Sequence, residues 1–196
     1  MKALIIVDVQ YDFLPGGALA VAKGDEIIPI INTIQKEYDL VVASQDWHPA
    51  QHKSFASQHE DKITFDVISL NGLDQVLWPD HCVQESYGAS LSEDLDSTRV
   101  EAIFRKGMDP EIDSYSAFYD NGRRKNTGLA GYLKDRDIDE VHVCGLAADY
   151  CVFFTAMDAL DEGFKTSIIS KATRAIDKGA FMEKKNEFIQ KGGSLL

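Results

Sequence analysis

The most constraining feature of this sequence is a rhythm. Short apolar runs rich in β-branched residues alternate with stretches of helical periodicity. Residues 4–7, 40–43, 100–104, 141–144 and 166–169 read as strands apolar on both faces, the pattern of a buried parallel sheet. Between them, residues 25–37 carry Pro29 near the first turn, with Ile27, Ile30, Ile31 and Ile34 at helical spacing. Residues 127–136, 149–162 and 177–191 follow the same helical rhythm, and Gly163 stops the third helix. Strand alternating with helix predicts a doubly wound α/β sandwich. With no repeat, low-complexity tract or linker, residues 1–196 read as one domain, and 44% hydrophobic residues suffice for a single core. One stretch breaks the rhythm. Residues 45–92 are poor in clear helix, hold four of the five histidines, and are too long for a slack connection. Short strands are expected near residues 63–70.

Charge and cysteine content narrow the function. Twenty basic against 32 acidic side chains leave a net charge of −12. That sign repels phosphate backbones and anionic lipid, so neither nucleic acid nor a membrane is an expected partner. No apolar run approaches the ~20 residues of a membrane helix. The N-terminal run ends at Asp8, too short for a signal peptide. The three cysteines, Cys82, Cys144 and Cys151, are odd in number and lack a CxxC pair. They read as reduced thiols of a cytoplasmic protein.

Ligands of open α/β sheets bind beyond the carboxyl ends of the strands. The first strand runs into Asp8, then Gln10, Asp12 and Phe13. The second runs into Gln45-Asp46-Trp47-His48-Pro49, the third into Arg105-Lys106-Gly107, and the fourth into Gly145-Leu146-Ala147-Ala148-Asp149-Tyr150-Cys151. Singly, Asp8 reads as a solvated strand end and Lys106 as an exposed lysine. Together, three such residues at three strand ends make a Cys-Lys-Asp nucleophile system. Cys151 lies near a helix start, where the helix dipole lowers a thiol pKa and free amides can hold an oxyanion. Cys144, mid-strand, reads as a small buried hydrophobe. Asp46 and His48 form a candidate metal pair with His81 as the natural third ligand, and such a set suits Zn, Fe or Mn. His52 stays unassigned, His59 reads as surface, and His142 as structural. Phe13, Trp47, Trp78 and Tyr115 are candidates to wall a flat-ring pocket, with core packing as the alternative.

Five motifs in order, Asp8-Val9-Gln10-Tyr11-Asp12-Phe13, Gln45-Asp46-Trp47-His48-Pro49, Trp78-Pro79-Asp80-His81-Cys82, Arg105-Lys106-Gly107 and Gly145-Leu146-Ala147-Ala148-Asp149-Tyr150-Cys151, resemble those of the nicotinamidases (pyrazinamidases) among the isochorismatase-like cysteine hydrolases. The resemblance spans nearly the whole chain. It implies a three-layer α/β/α sandwich with a mostly parallel sheet of about six strands. It also implies hydrolysis of nicotinamide, and of pyrazinamide, to the acid and ammonia through a cysteine thioester, in NAD salvage. Carried over, Cys151 is the nucleophile, Asp8 the general acid/base, and Lys106 the group that stabilises the thiolate and orients Asp8. The amides of Ala147, after a cis peptide, and of Cys151 would form the oxyanion hole. Asp46, His48 and His81 would hold a divalent metal, zinc by preference and otherwise iron or manganese. Phe13, Trp78 and Tyr115 match pocket positions for a small aromatic amide. The alternatives are a relative acting on a ureido or carbamoyl amide, a metal-dependent hydrolase in which Cys151 is structural, and a silent binder of pyridine metabolites. Oligomeric state is left open.

Overall fold

The computed structural model describes residues 1–196. Six strands form one wholly parallel sheet: β1 (Lys2–Val7), β2 (Leu40–Asp46), β5 (Val100–Lys106), β6 (Glu140–Leu146), β7 (Lys165–Arg174) and β8 (Ser194–Leu195). Their order is β5-β2-β1-β6-β7-β8. The chain winds outward from β1 through β2 to β5, then returns to lay β6 against the other side of β1. This reversal opens a crevice at the carboxyl ends of β1 and β6, where such sheets bind ligands.

β1 shows how the sequence builds three layers. Its residues alternate, with Leu4 and Ile6 packing into one core, and Ala3, Ile5 and Val7 into the other. The first core is closed by α1 (Ile28–Ile34) and its flanking 3-10 turns through Ile27, Ile28, Ile31 and Ile34. The second is closed by α2 (Leu129–Lys134), α3 (Phe153–Asp161) and α4 (Lys178–Gln190), through Leu133, Phe153, Ala156 and Phe188. Each fully buried aliphatic or aromatic side chain contributes roughly 1.5–3 kcal/mol of transfer free energy. α4 begins where the Asp177 carboxylate accepts hydrogen bonds from the amides of Gly179 and Ala180.

One sequence expectation needs correction and another is narrowed. The apolar run at residues 100–104 predicts a strand buried on both faces. β5 is instead an edge strand whose residues alternate, leaving Ile103 50% exposed. The strands expected near residues 63–70 resolve into an antiparallel hairpin of β3 (Val67–Leu70) and β4 (Leu73–Val76), with a turn before it. β8 has no counterpart in the sequence pattern, since two residues carry no periodicity. No helix is long and apolar enough to cross a membrane.

Candidate active site

Residues at or just beyond the carboxyl ends of β1, β2, β5 and β6 meet in one buried cluster. Asp8 follows β1 with φ +49, a left-handed conformation that is strained for a residue with a Cβ and recurs at functional sites. Its carboxylate is fully buried and accepts a hydrogen bond from Ser44 Oγ on β2 at 2.7 Å. Lys106, the last residue of β5, extends under the sheet ends with its ammonium fully buried. Its Nζ lies 2.9 Å from Asp8 Oδ2, 2.5 Å from Asp46 Oδ1, 3.0 Å from the Ser114 carbonyl and 3.4 Å from Cys151 Sγ. The Lys106–Asp8 contact is an ion pair without hydrogen-bond geometry, so Asp8 Oδ2 keeps a free lone pair.

Cys151 reaches this cluster from β6. Gly145 takes φ +111 opposite Val7, and a Cβ there would sit 2.0 Å from the Val7 carbonyl oxygen, so only glycine lets β6 lie this close to β1. The Leu146–Ala147 peptide is cis, as the resemblance implied. A turn of π-helix over Ala148–Val152 comes next and carries Cys151 before α3 begins. π-turns of this kind recur at functional sites.

The electrostatics differ in one respect from the sequence reading. Burial pushes the Cys151 thiol up, and the Lys106 ammonium beside it only partly offsets this. Burial also raises Asp8 above the usual carboxylate range, opposed by Lys106 and Ser44. For Lys106 itself, desolvation disfavours the charge, but the carboxylates of Asp46 and Asp8 outweigh it and keep the ammonium protonated.

Asp46, His48 and His81 come together beside the triad. Their candidate ligand atoms lie within 4.8 Å of one another and all three residues are buried. His48 Nδ1 lies 2.9 Å from the Gly107 carbonyl, and His81 Nδ1 lies 2.8 Å from the Pro79 carbonyl. A carbonyl only accepts, so Nδ1 carries the proton in each ring and Nε2 presents its lone pair. Those Nε2 atoms stand 3.6 and 3.9 Å from Asp46 Oδ2. Two imidazole lone pairs converging on one carboxylate oxygen are the donor set of a divalent metal of the zinc type, so the residues fit one. A Cβ on Gly107 would lie 2.3 Å from the His48 ring, so the glycine is what admits the ring. His52 is buried next to His48, with Nδ1 hydrogen-bonded to Ser54 Oγ and Nε2 without a partner.

A narrow cavity opens beside Cys151. Phe13, Trp78 and Tyr115 all line it, joined by Tyr150, Leu19 and Ile176, and Asp46, His81, Asp113 and Ala147 complete the lining. Trp78 meets Tyr150 edge-on at 4.8 Å and Tyr115 meets Tyr150 at 5.3 Å. Trp47 is not part of it. Its ring lies 4.0 Å under the Arg105 guanidinium, outside the cavity. A larger open hollow of about 900 Å³ flanks the end of β5 but is lined by neither Asp8 nor Cys151. His59 Nε2 bonds the Lys53 carbonyl, and His142, between Tyr38 and Glu140, is remote from the site. Cys82 and Cys144 are buried, and burial raises both thiols.

Two residues without a role in the sequence reading hold the ligand set in place. Gln10 clamps Asp46: its Nε2 donates to the Asp46 carbonyl and its Oε1 accepts from the Asp46 amide, both at 2.8 Å. Asp12 Oδ2 accepts from the Cys82 amide at 2.7 Å and anchors the loop that carries His81. The only signal for either is its place in the segment after β1.

Comparison with known proteins adds to this geometry. The isochorismatase domain model matches residues 2–195. The nicotinamidase of Escherichia coli (strain K12) is 49% identical over 180 residues, spanning 90% of this chain and 84% of that protein. The solved nicotinamidase/pyrazinamidase of Acinetobacter baumanii superposes with a TM-score of 0.97 at 46% identity, covering 100% of this chain and 95% of that one. The pyrazinamidase of Pyrococcus horikoshii, solved in complex with zinc, superposes with a TM-score of 0.81 at 34% identity, covering 100% and 98%.

Proposed function

The chain belongs to the isochorismatase domain family, and from that premise we propose that it is a metal-assisted cysteine amidase. It hydrolyses nicotinamide to nicotinate and ammonia, and pyrazinamide to the corresponding acid. The observation that carries this reading is the Lys106 ammonium, 2.9 Å from Asp8 and 3.4 Å from Cys151 at the mouth of an aromatic cavity. The nicotinamidases of 46–49% identity support the choice of substrate. We place the reaction in the cytoplasm, where three unpaired thiols stay reduced, as a step of NAD salvage.

The mechanism is set by the resting charges. Asp8, a carboxylate with a free lone pair on Oδ2, takes the thiol proton as Cys151 Sγ attacks the amide carbon. Lys106 neutralises charge on both partners throughout. The amides of Ala147 and Cys151 hold the oxyanion, each worth roughly 3 kcal/mol in such sites. Asp8 then returns the proton to the departing ammonia, leaving a thioester. In the second half-reaction Asp8 takes a proton from water, which attacks the thioester carbon, and passes it to the departing Cys151 Sγ, releasing the acid and restoring the thiol. Trp78, Tyr115, Tyr150 and Phe13 stack around the ring and exclude bulk water. Asp46, His48 and His81 would hold a divalent metal, zinc by preference, which when bound supplies a Lewis-acidic partner for the ring nitrogen.

The test is ammonia release across a panel of carboxamides, with metal content determined on the same sample. Nicotinamide and pyrazinamide are expected to turn over, and ureido substrates not. Cys151→Ala is expected to lose turnover by about 10⁶-fold, as for a nucleophile acting within a unit, while binding nicotinate within a few-fold. Residual turnover above ~1% of wild type, against that expected loss, would remove Cys151 from the role of nucleophile.

A further inference from the structure

The turn that carries Cys151 is π-helical, and an ammonium from a distant part of the chain reaches its backbone. In an α-helix the Phe153 amide would donate to the carbonyl four residues back, that of Asp149. Here it is directed to the Tyr150 carbonyl, while the Val152 amide reaches back five residues to Ala147 at 3.1 Å. Turned three residues back rather than four, the Phe153 amide is withheld from the Asp149 carbonyl, and a buried carbonyl without a donor costs about 1–3 kcal/mol. Lys184 Nζ, from the middle of α4, supplies one at 2.5 Å. The same ammonium lies 4.4 Å from the centroid of the Tyr150 ring and 5.0 Å from that of Phe154. The Asp149 carboxylate, fully buried, accepts from the amides of Ile176 and Asp177 at 2.9 and 2.8 Å. α4 and the segment leading into it therefore hold Asp149 by both its main chain and its side chain.

We infer that Lys184 is a positioning residue for the nucleophile. Its ammonium satisfies the Asp149 carbonyl and thereby keeps the turn in the wide form that presents Cys151 Sγ to Lys106 and Asp8. Without it, the Asp149 carbonyl recovers a donor by tightening to an α-turn, which rotates Cys151 about the helix axis and away from the amide carbon. Misplacement of a reacting atom by about 1 Å costs on the order of 10²-fold in rate. Tyr150 remains packed between Trp78 and Tyr115 in either case, so the cavity itself persists. The inference rests on Cys151 being the nucleophile.

The test compares Lys184→Met, Lys184→Gln and Lys184→Arg with the wild type and with Lys185→Met as a control, on protein shown to be folded by circular dichroism. Lys184→Met is expected to lower kcat for nicotinamide by about 10–100-fold, with KM and the Kd of nicotinate moving less than about threefold. Its Cys151 is expected to react with iodoacetamide more slowly by a similar factor. Arg and Gln, which still donate, are expected to restore kcat to within about tenfold of wild type, and Lys185→Met to leave it unchanged. A purely structural lysine would lower the melting temperature and leave kcat per folded molecule intact, and that result overturns the inference. Should Lys184→Met not fold, the Arg and Gln variants decide: kcat retained in both supports it, and loss beyond ~100-fold in both with nicotinate binding intact overturns it. A wild type that releases no ammonia would instead overturn the proposed function.

Discussion

A single side chain, Lys106, joins the two halves of the chemistry. Its ammonium contacts Asp8 and Cys151 on one side and Asp46, a metal-ligand candidate, on the other. Such a cation is stable when buried only because two carboxylates surround it, and breaking a buried pair by removing one partner costs about 3–5 kcal/mol. On the proposed mechanism, Asp8 is the group whose titration sets the acid side of the rate profile. Catalysis needs its carboxylate form; burial raises its pKa, and the Ser44 hydroxyl, donating at 2.7 Å, holds it down. Removing that donor weakens the charged form, so Asp8 protonates at higher pH. Ser44→Ala is expected to move the acid limb of kcat/KM upward by about one pH unit, since a hydrogen bond to a charged group is worth roughly 1.5–3 kcal/mol. A limb that stays or moves down would argue that another group controls it. The types and positions of Asp8, Lys106 and Cys151 were readable because each stands where an apolar run gives way at a strand end. Gln10 was not, since its work is to clamp the main chain of Asp46, 36 residues away.

At the scale of elements, the site depends on how closely β6 approaches β1 and on the turn that leads from β6 into α3. Gly145 permits that approach, with φ +111 and no room for a Cβ beside the Val7 carbonyl. Gly145→Ala adds both backbone strain and overpacking, and is expected to destabilise the fold by at least about 2 kcal/mol, read from the urea midpoint. A variant within ~0.5 kcal/mol of wild type, the range of neutral surface changes, would show that β6 can shift without loss. The apolar spacing of residues 149–162 predicts one continuous helix. Over so short a stretch, that spacing does not distinguish 3.6 residues per turn from a local π-turn. The extra width is decided by donors from elsewhere, here Lys184. β5 is the converse case. Its composition resembles that of a central strand, and only the strand order leaves one side of it open.

At the scale of the whole molecule, most of the two cores is built from the sheet and its helices, away from the metal-ligand set. Asp46, His48 and His81 lie at or beyond the carboxyl end of β2, while the cores sit on the two faces of the sheet. Removing metal is therefore expected to affect ring binding rather than folding. Chelation should raise KM for nicotinamide by at least about tenfold, roughly 1.4 kcal/mol of lost binding, with the far-UV circular dichroism unchanged and zinc restoring KM. A chelated, metal-free enzyme with unchanged KM would sink the metal's role in holding the ring.

The sequence by itself determined the layer architecture, because the periods of its apolar residues leave few ways to bury them, and it placed a carboxylate, a lysine and a thiol at or just beyond strand ends that the sheet brings together. Only the tertiary structure decided that Lys106 is shared between Asp8 and Asp46, that Trp47 lies outside the cavity while Tyr150 lines it, and that burial pushes the Cys151 thiol up. The physical reason is range. Periodicity and helix-end signals act over a few residues, whereas desolvation and charge pairing are set by groups that meet only when the sheet has been assembled.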